Sequence, residues 1–208
     1  MFHWCCSPRV TSAFRAKVFD LWEEMCGRKK HSKQSPLVVS ERGSSVSPDI
    51  ITVTDVIATL TRSNCERNKA RVDIVFQDAV KRGLILQDRL DSHFEIDLSG
   101  MSIPVARAAC RFVMKRIRDD LLVDGRGIEE VVLITGVGKA QTPKKTPTPK
   151  QSSEPVTGLS LRDHIQDVLR TDFDPPMESF VPGLAQGTVH VTKDACVQWA
   201  RGSAAASP

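Results

Sequence analysis

The sequence has no apolar run approaching the length of a bilayer-spanning helix, no C-x-x-C pair among its six cysteines, and no net charge in its second half. Each absence removes a class of protein. A spanning helix needs about 20 consecutive apolar residues, so no membrane partner is expected. Without paired cysteines of the right spacing, structural zinc is disfavoured. The adjacent Cys5 and Cys6 are poorly placed for an unstrained disulfide. Cys5, Cys6, Cys26, Cys65, Cys110 and Cys196 therefore read as reduced, structural thiols of an intracellular protein. All of the +4 net charge lies in residues 1–92, with 15 Lys+Arg against 11 Asp+Glu, whereas residues 93–208 balance at 14 against 14. Nucleic-acid binding by the second half thus requires a local basic patch. The N-terminus lacks the apolar stretch of a secretory signal. Asp20, Glu23 and Glu24 come too early for a clear transit peptide.

What is present divides the chain by composition. Ser12–Met25 has apolar residues at helical spacing, with Phe14, Val18, Leu21 or Trp22, and Met25 expected on the inner face. Residues 26–47 have the Lys, Ser and Gly content of a linker. Pro48-Asp49 opens a helix with Ile50, Val53, Val56, Ile57 and Leu60 on one face. Ser63-Asn64 breaks it, and Val72, Val75, Phe76, Ala79 and Val80 form the face of another before Gly83. The expected unit is a helical hairpin spanning residues 48–92, preceded by a partial helical repeat over 1–25.

From residue 93 the periodicity becomes that of an α/β domain, expected to end near 201, with a frayed tail over 202–208. Phe94–Leu98 alternates as a strand, and Ser102-Ile103-Pro104 is a helix start. Ala106, Cys110, Val113 and Ile117 form the inner face of that helix, which runs to about Asp120. Arg107, Arg111, Lys115 and Arg118 lie on the far side. A solvated helix face is the plain reading of this stripe, and a phosphate-tracking surface is the sharper one. Val131-Val132-Leu133-Ile134 reads as a strand buried on both faces. It stops in Thr135-Gly136-Val137-Gly138, a turn able to offer backbone N–H groups at a sheet edge. Residues 139–157 begin with a segment rich in lysine, proline and threonine, including Lys139, Lys144 and Lys145, which reads as a spacer or a basic arm. Leu159–Leu169 is a further helix with Leu161, Ile165 and Val168 inward. Met177–Val181 and Thr188–Val191 are short strands, and Lys193–Ala200 is a closing helical turn.

Two resemblances follow from these motifs. Pro48–Ile57 and Val75–Gly83 resemble the two helices of a pentatricopeptide repeat, and Val18–Met25 resembles the second helix of an earlier one. The resemblance implies recognition of single-stranded RNA, with Thr54 at the base-reading position early in the first helix. Ile96-Asp97-Leu98-Ser99-Gly100, Ile134-Thr135-Gly136-Val137-Gly138 and Leu161-Arg162-x-x-Ile165-x-x-x-Leu169 together resemble the motifs of an Smr (small MutS-related) domain. The expected fold is thus a two-layer α/β Smr domain, β-α-β-α-β-β, preceded by the α-helical hairpin. Repeats followed by an Smr domain are an arrangement of organellar RNA-binding proteins, so the resemblance points to a chloroplast or mitochondrion.

Some Smr domains nick DNA or cut RNA through the acidic residue and histidine of the first motif. Here Asp97 is present, and Ser99 stands where the histidine would be. A serine hydroxyl is no general base near pH 7, whereas an imidazole is. The first expectation is therefore a binding protein, with single-stranded RNA ahead of DNA as partner. Thr135, Gly136 and Gly138 would supply backbone donors. Arg107, Arg111, Lys115 and the lysines from Lys139 onward would supply charge. The second is an Smr-type endonuclease using Asp97, the only reading in which a divalent metal enters. The third is a protein-interaction scaffold. No resident cofactor is implied, and the sequence sets no oligomeric state. His93, His164 and His190 stand as substitutes for the motif histidine, with packing or surface roles as the plainer reading of the last two.

Overall fold

The computed structural model describes residues 8–28, 47–63, 65–85, 90, 94–124, 130–136, 160–183 and 187–205. The chain divides into two compact units, residues 1–86 and 87–208.

The first unit is helical: α1 (Pro8–Met25), α2 (Ile50–Thr61) and α3 (Glu66–Lys81). Asp49 caps α2 by accepting from the Thr52 N–H at 2.8 Å, satisfying one donor that the first helical turn leaves open. The hairpin closes on Val53, Val56, Ile57 and Leu60 of α2 with Val72, Val75, Phe76, Ala79 and Val80 of α3, all buried. Ile50, expected with them, lies at the mouth of the hairpin and is 45% exposed. α1 also differs from expectation. Among its described side chains Phe19 and Trp22 are buried, Trp22 being one of the two alternatives expected there, and Phe14 and Leu21 face outward. Both stripes satisfy helical spacing, and periodicity alone does not choose between them.

α1 and α3 end in the same way. Gly27 and Gly83 take left-handed φ of 72° and 69°. After α1, the Gly27 N–H donates to Glu24 O and the Arg28 N–H to Glu23 O. After α3, the Gly83 N–H donates to Val80 O and the Leu84 N–H to Ala79 O. These paired bonds close the last carbonyls of each helix and need a glycine at the turn. The two ends are tied through Asp78, whose carboxylate accepts from the Cys26 thiol at 3.1 Å and from Arg82 Nε at 2.8 Å and pairs with Arg28. Burial pushes the Cys26 thiol up to about 11, and the neighbouring Asp78 carboxylate adds to this, so the thiol stays protonated as a donor.

The second unit carries β1 (Glu95–Asp97), α4 (Ile103–Asp124), β2 (Val131–Ile134), α5 (Leu161–Thr171), β3 (Ser179–Phe180), β4 (Thr188–Val191) and α6 (Lys193–Ala205). It is a mixed α/β unit with one four-stranded sheet, order β1-β2-β4-β3. β1 and β2 are parallel, joined by the crossover through α4, and β4 runs antiparallel to both β2 and β3. Ser160 and Asp163 form a reciprocal cap at the start of α5. Relative to expectation, α4 and α6 are longer and the strand around Phe180 is shorter.

β2 is not buried on both faces. Val131 and Leu133 are fully buried, while Val132 and Ile134 keep partial solvent access. Ile96, Val131, Leu133, Val189 and Val191 form the covered face, where each large aliphatic side chain contributes about 1.5–3 kcal/mol. α5 packs against β4 and β3, and its Ile165 and Leu169 are buried, as are Met114 of α4 and Trp199 of α6. The register places Glu95, Val132, His190 and Phe180 in one row across the other face and Asp97, Ile134 and Thr188 in the next. No lysine or arginine occurs on any of the four strands.

Asp78→Ala removes the shared acceptor and leaves Arg28, Arg82 and the Cys26 thiol facing one another. A loss of about 2–3 kcal/mol is expected in urea unfolding of the full chain followed by circular dichroism.

Candidate nucleic-acid interface

The ends of β1 and β2 form one edge. The Leu98 N–H donates to Ile134 O at 2.8 Å, extending the parallel ladder by one rung. Asp97 Oδ1 accepts from the Ser99 N–H at 2.8 Å, a side-chain turn that aspartate forms readily. Gly100 follows with φ 74°, and the Met101 N–H closes onto Leu98 O at 3.2 Å. The chain then enters α4 through the exposed Ser102 and Ile103. On the neighbouring strand, Gly136 has φ 76°, and a Cβ placed there would stand 3.2 Å from the Ser99 Cβ. The two motif turns therefore abut, Ser99 of one against Gly136 of the other.

The expected donors are already engaged. The Thr135 and Gly136 N–H groups both donate to Gly187 O, at 2.8 and 3.1 Å. The Thr135 hydroxyl donates to the same oxygen at 3.0 Å. Thr135 is buried. This carbonyl, at the entrance to β4, takes the N–H groups that were expected to face a phosphate. That expectation for Thr135 and Gly136 is corrected accordingly.

The basic stripe is corrected in the same sense. Arg107 Nε donates to Asp172 Oδ2 at 2.6 Å and Arg111 Nη1 to the same oxygen at 3.1 Å. Asp172 is the C-cap residue of α5, with its side chain 1% exposed. Arg118 lies over the Trp199 ring, 5.5 Å from its centroid, and pairs with Asp119. Lys115 is the exposed member of the stripe. Burial alone would raise the Asp172 carboxyl, but its bonds to Arg107 and Arg111 outweigh this and hold it below the ordinary range. The bond to Asp172 likewise raises Arg107.

Asp97 sits at the edge, engaged with Ser99. Thr54 is on α2 in the first unit, its hydroxyl donating to Ile50 O at 2.9 Å. Gly138, Lys139, Lys144 and Lys145 lie outside the described residues, as does His93. His164 is on α5. His190 is on β4, where Nδ1 pairs with Glu130 and Nε2 lies 3.0 Å from the Thr188 hydroxyl. Among the described residues, no three His, Cys, Asp or Glu side chains are grouped to hold a metal ion, and no helix is long and apolar enough to cross a membrane. Cys110 and Cys196 are buried, each pushed up to about 12 by desolvation.

Three partners were missed from the sequence: Asp172, the Gly187 carbonyl, and the Glu130–His190–Thr188 chain. An acid just beyond the end of Leu159–Leu169 was visible, but nothing local to Asp172 signals a partner on α4. A carbonyl leaves no trace in residue identity. No protein-family model, curated protein or solved structure matches this chain.

Two outcomes follow from this geometry. Gly136→Ala must adopt a left-handed backbone and press on Ser99, so a loss of about 1–3 kcal/mol is expected in urea unfolding. Asp172→Asn removes the charge between two guanidiniums and is expected to cost about 3 kcal/mol at neutral pH. The sign of its pH dependence is set by the depressed folded-state carboxyl. The contribution is full above the unfolded value of about 3.9 and fades as pH falls through the lower folded one. The wild-type advantage over Asp172→Asn should therefore shrink in acid, as followed by thermal unfolding between pH 7 and pH 2.

Proposed function

We propose that this chain is a nucleic-acid-binding protein of the pentatricopeptide–Smr type, acting on single-stranded RNA ahead of DNA in the handling of organellar transcripts. The observation that carries the reading is the contact between the two motif turns, Asp97–Gly100 and Thr135–Gly136, at one sheet edge. The element order β-α-β-α-β-β in the second unit supports it. So do the matching glycine-capped ends of α1 and α3, tied together at Asp78, as second helices of successive repeats would be.

The contact residues shift from those the sequence favours. α4 opens shortly after Gly100 with Ser102 and Ile103 exposed, Pro104 carrying no N–H and the Ala106 N–H donating to Ser102 O at 2.9 Å. In this reading the exposed helix start at Ser102 and Ile103 takes over the anion-facing role from the Thr135 and Gly136 amides. Charge comes from Lys115 and from Lys139, Lys144 and Lys145, not from Arg107 or Arg111. Gly138 and Thr54 keep their places in the proposal, Thr54 as a base-edge contact of the repeat.

Binding is proposed ahead of cleavage, because Asp97 has a turn-forming role and Ser99 provides no base near neutral pH. The test is fluorescence anisotropy of the full chain with a labelled single-stranded RNA at several salt concentrations. Affinity should fall steeply with salt, by about 0.7 log units per log unit of salt for each phosphate neutralised. Replacing Lys139, Lys144 and Lys145 together with glutamine should flatten that slope by about 2. Absence of binding at low salt would overturn the reading. RNA or plasmid cleavage with a divalent metal, abolished in Asp97→Ala, would replace it with an Smr-type endonuclease.

A further inference from the structure

Helix α1 has two apolar stripes, and among the described residues only one of them is fully buried. At about 100° per residue, Phe19 and Trp22 point to the side facing the unit's core, and both are buried. Phe14, Val18, Leu21 and Met25 fall within an arc of about 60° beside them. Phe14 is 60% exposed and Leu21 47% exposed, with Val18 and Met25 half-buried. The intervals of four, three and four residues are those of a coiled-coil seam. Isolated exposed leucines need no explanation, but four apolar residues in one seam do.

The residues bordering the seam indicate what covers it. On one side the seam merges with the buried stripe through Trp22. On the other side lie Lys17, exposed, and Glu24, half-buried, one heptad apart. We propose that the seam pairs with the same seam of a second copy of this chain, the two α1 helices running antiparallel about a two-fold axis. With Val18 of each copy facing Leu21 of the other, and Phe14 facing Met25, Lys17 of each copy meets Glu24 of the other. The pairing is self-complementary, as a two-fold interface requires. A parallel arrangement sets this flank against the one carrying Arg15 and the buried Trp22, and forms no ion pair.

The contact is small, about two heptads on one helix, well below the roughly 800 Å² per partner of a standard stable interface. The dimer is therefore weak, and it forms because α1 is already folded within its unit and pays no helix-nucleation cost. This inference does not depend on the proposed RNA-binding activity.

The test is sedimentation velocity of the full chain from about 1 to 300 µM, a range suited to a weak, sub-standard interface. Circular dichroism and urea unfolding confirm that each variant is folded. The wild type should convert from monomer to dimer with concentration. Leu21→Glu and Phe14→Glu, both at exposed positions, should remain monomeric. Lys17→Glu and Glu24→Lys should each weaken association by roughly tenfold, since each turns two attractive pairs into two repulsive ones. The double variant K17E/E24K should restore it. A wild type that stays monomeric throughout overturns the proposal, as does a dimer indifferent to Leu21→Glu. Failure of the double variant to recover what the single variants lose overturns the antiparallel pairing.

Discussion

A single buried carboxylate sets the helix layer of the second unit. Asp172 lies at the end of α5 with almost no solvent access and receives bonds from both Arg107 and Arg111 of α4. A carboxylate taken out of water without partners costs several kcal/mol, so α5 can end there only if α4 brings its guanidiniums to that point. The arrangement fixes how far one helix slides along the other, and hence where Ile165 and Leu169 enter the core. It also spends two of the cations that make α4 look like a phosphate-binding surface. Net charge on a helix face and charge available to a ligand are different quantities, and an internal acid separates them.

The sheet edge is governed by a comparable economy of donors. Thr135 and Gly136 end β2 with N–H groups pointing outward, as the glycine turn implies, but the Gly187 carbonyl receives them together with the Thr135 hydroxyl. The turn is thereby stitched to the start of β4. Its left-handed glycine is required for close approach to Ser99. The result is a junction of β1, β2 and β4, with Ser102 and Ile103 exposed beside it at the start of α4.

How much of this was legible depended on whether the deciding partner was local. α2 and α3 were read with nearly their full buried faces, because each has one apolar stripe and clear breaks at Ser63 and Gly83. The succession of strands and helices after Phe94 was legible for the same reason. β2 differs from expectation because Val131–Ile134 is apolar at every position, so alternation carries no signal even though only Val131 and Leu133 are fully buried. In α1 there are two stripes at equally good spacing, and contacts from α2 and from Arg71 of α3, which lies over the Phe19 ring, select Phe19 and Trp22. The roles of Arg107, Arg111, Thr135 and Gly136 were hidden because their partners lie far along the chain and one of them is a main-chain oxygen.

The half-buried face of the sheet bears on the route the proposed polynucleotide partner would take. Its rows present Glu95 and Asp97 at one side, Val132 and Ile134 in the middle, and His190 with the tilted Phe180 ring at the other, while Glu130 pairs with His190. A phosphate backbone laid flat across these strands would meet carboxylates and no strand-borne cation, and the aromatic pair would have to offset that repulsion without help. A strand threading the rim past Gly100 would meet Asp97 with its carboxylate already turned onto the Ser99 N–H. For the proposed nucleic-acid partner the rim would then be the less repulsive path, because the strands carry carboxylates and no cation.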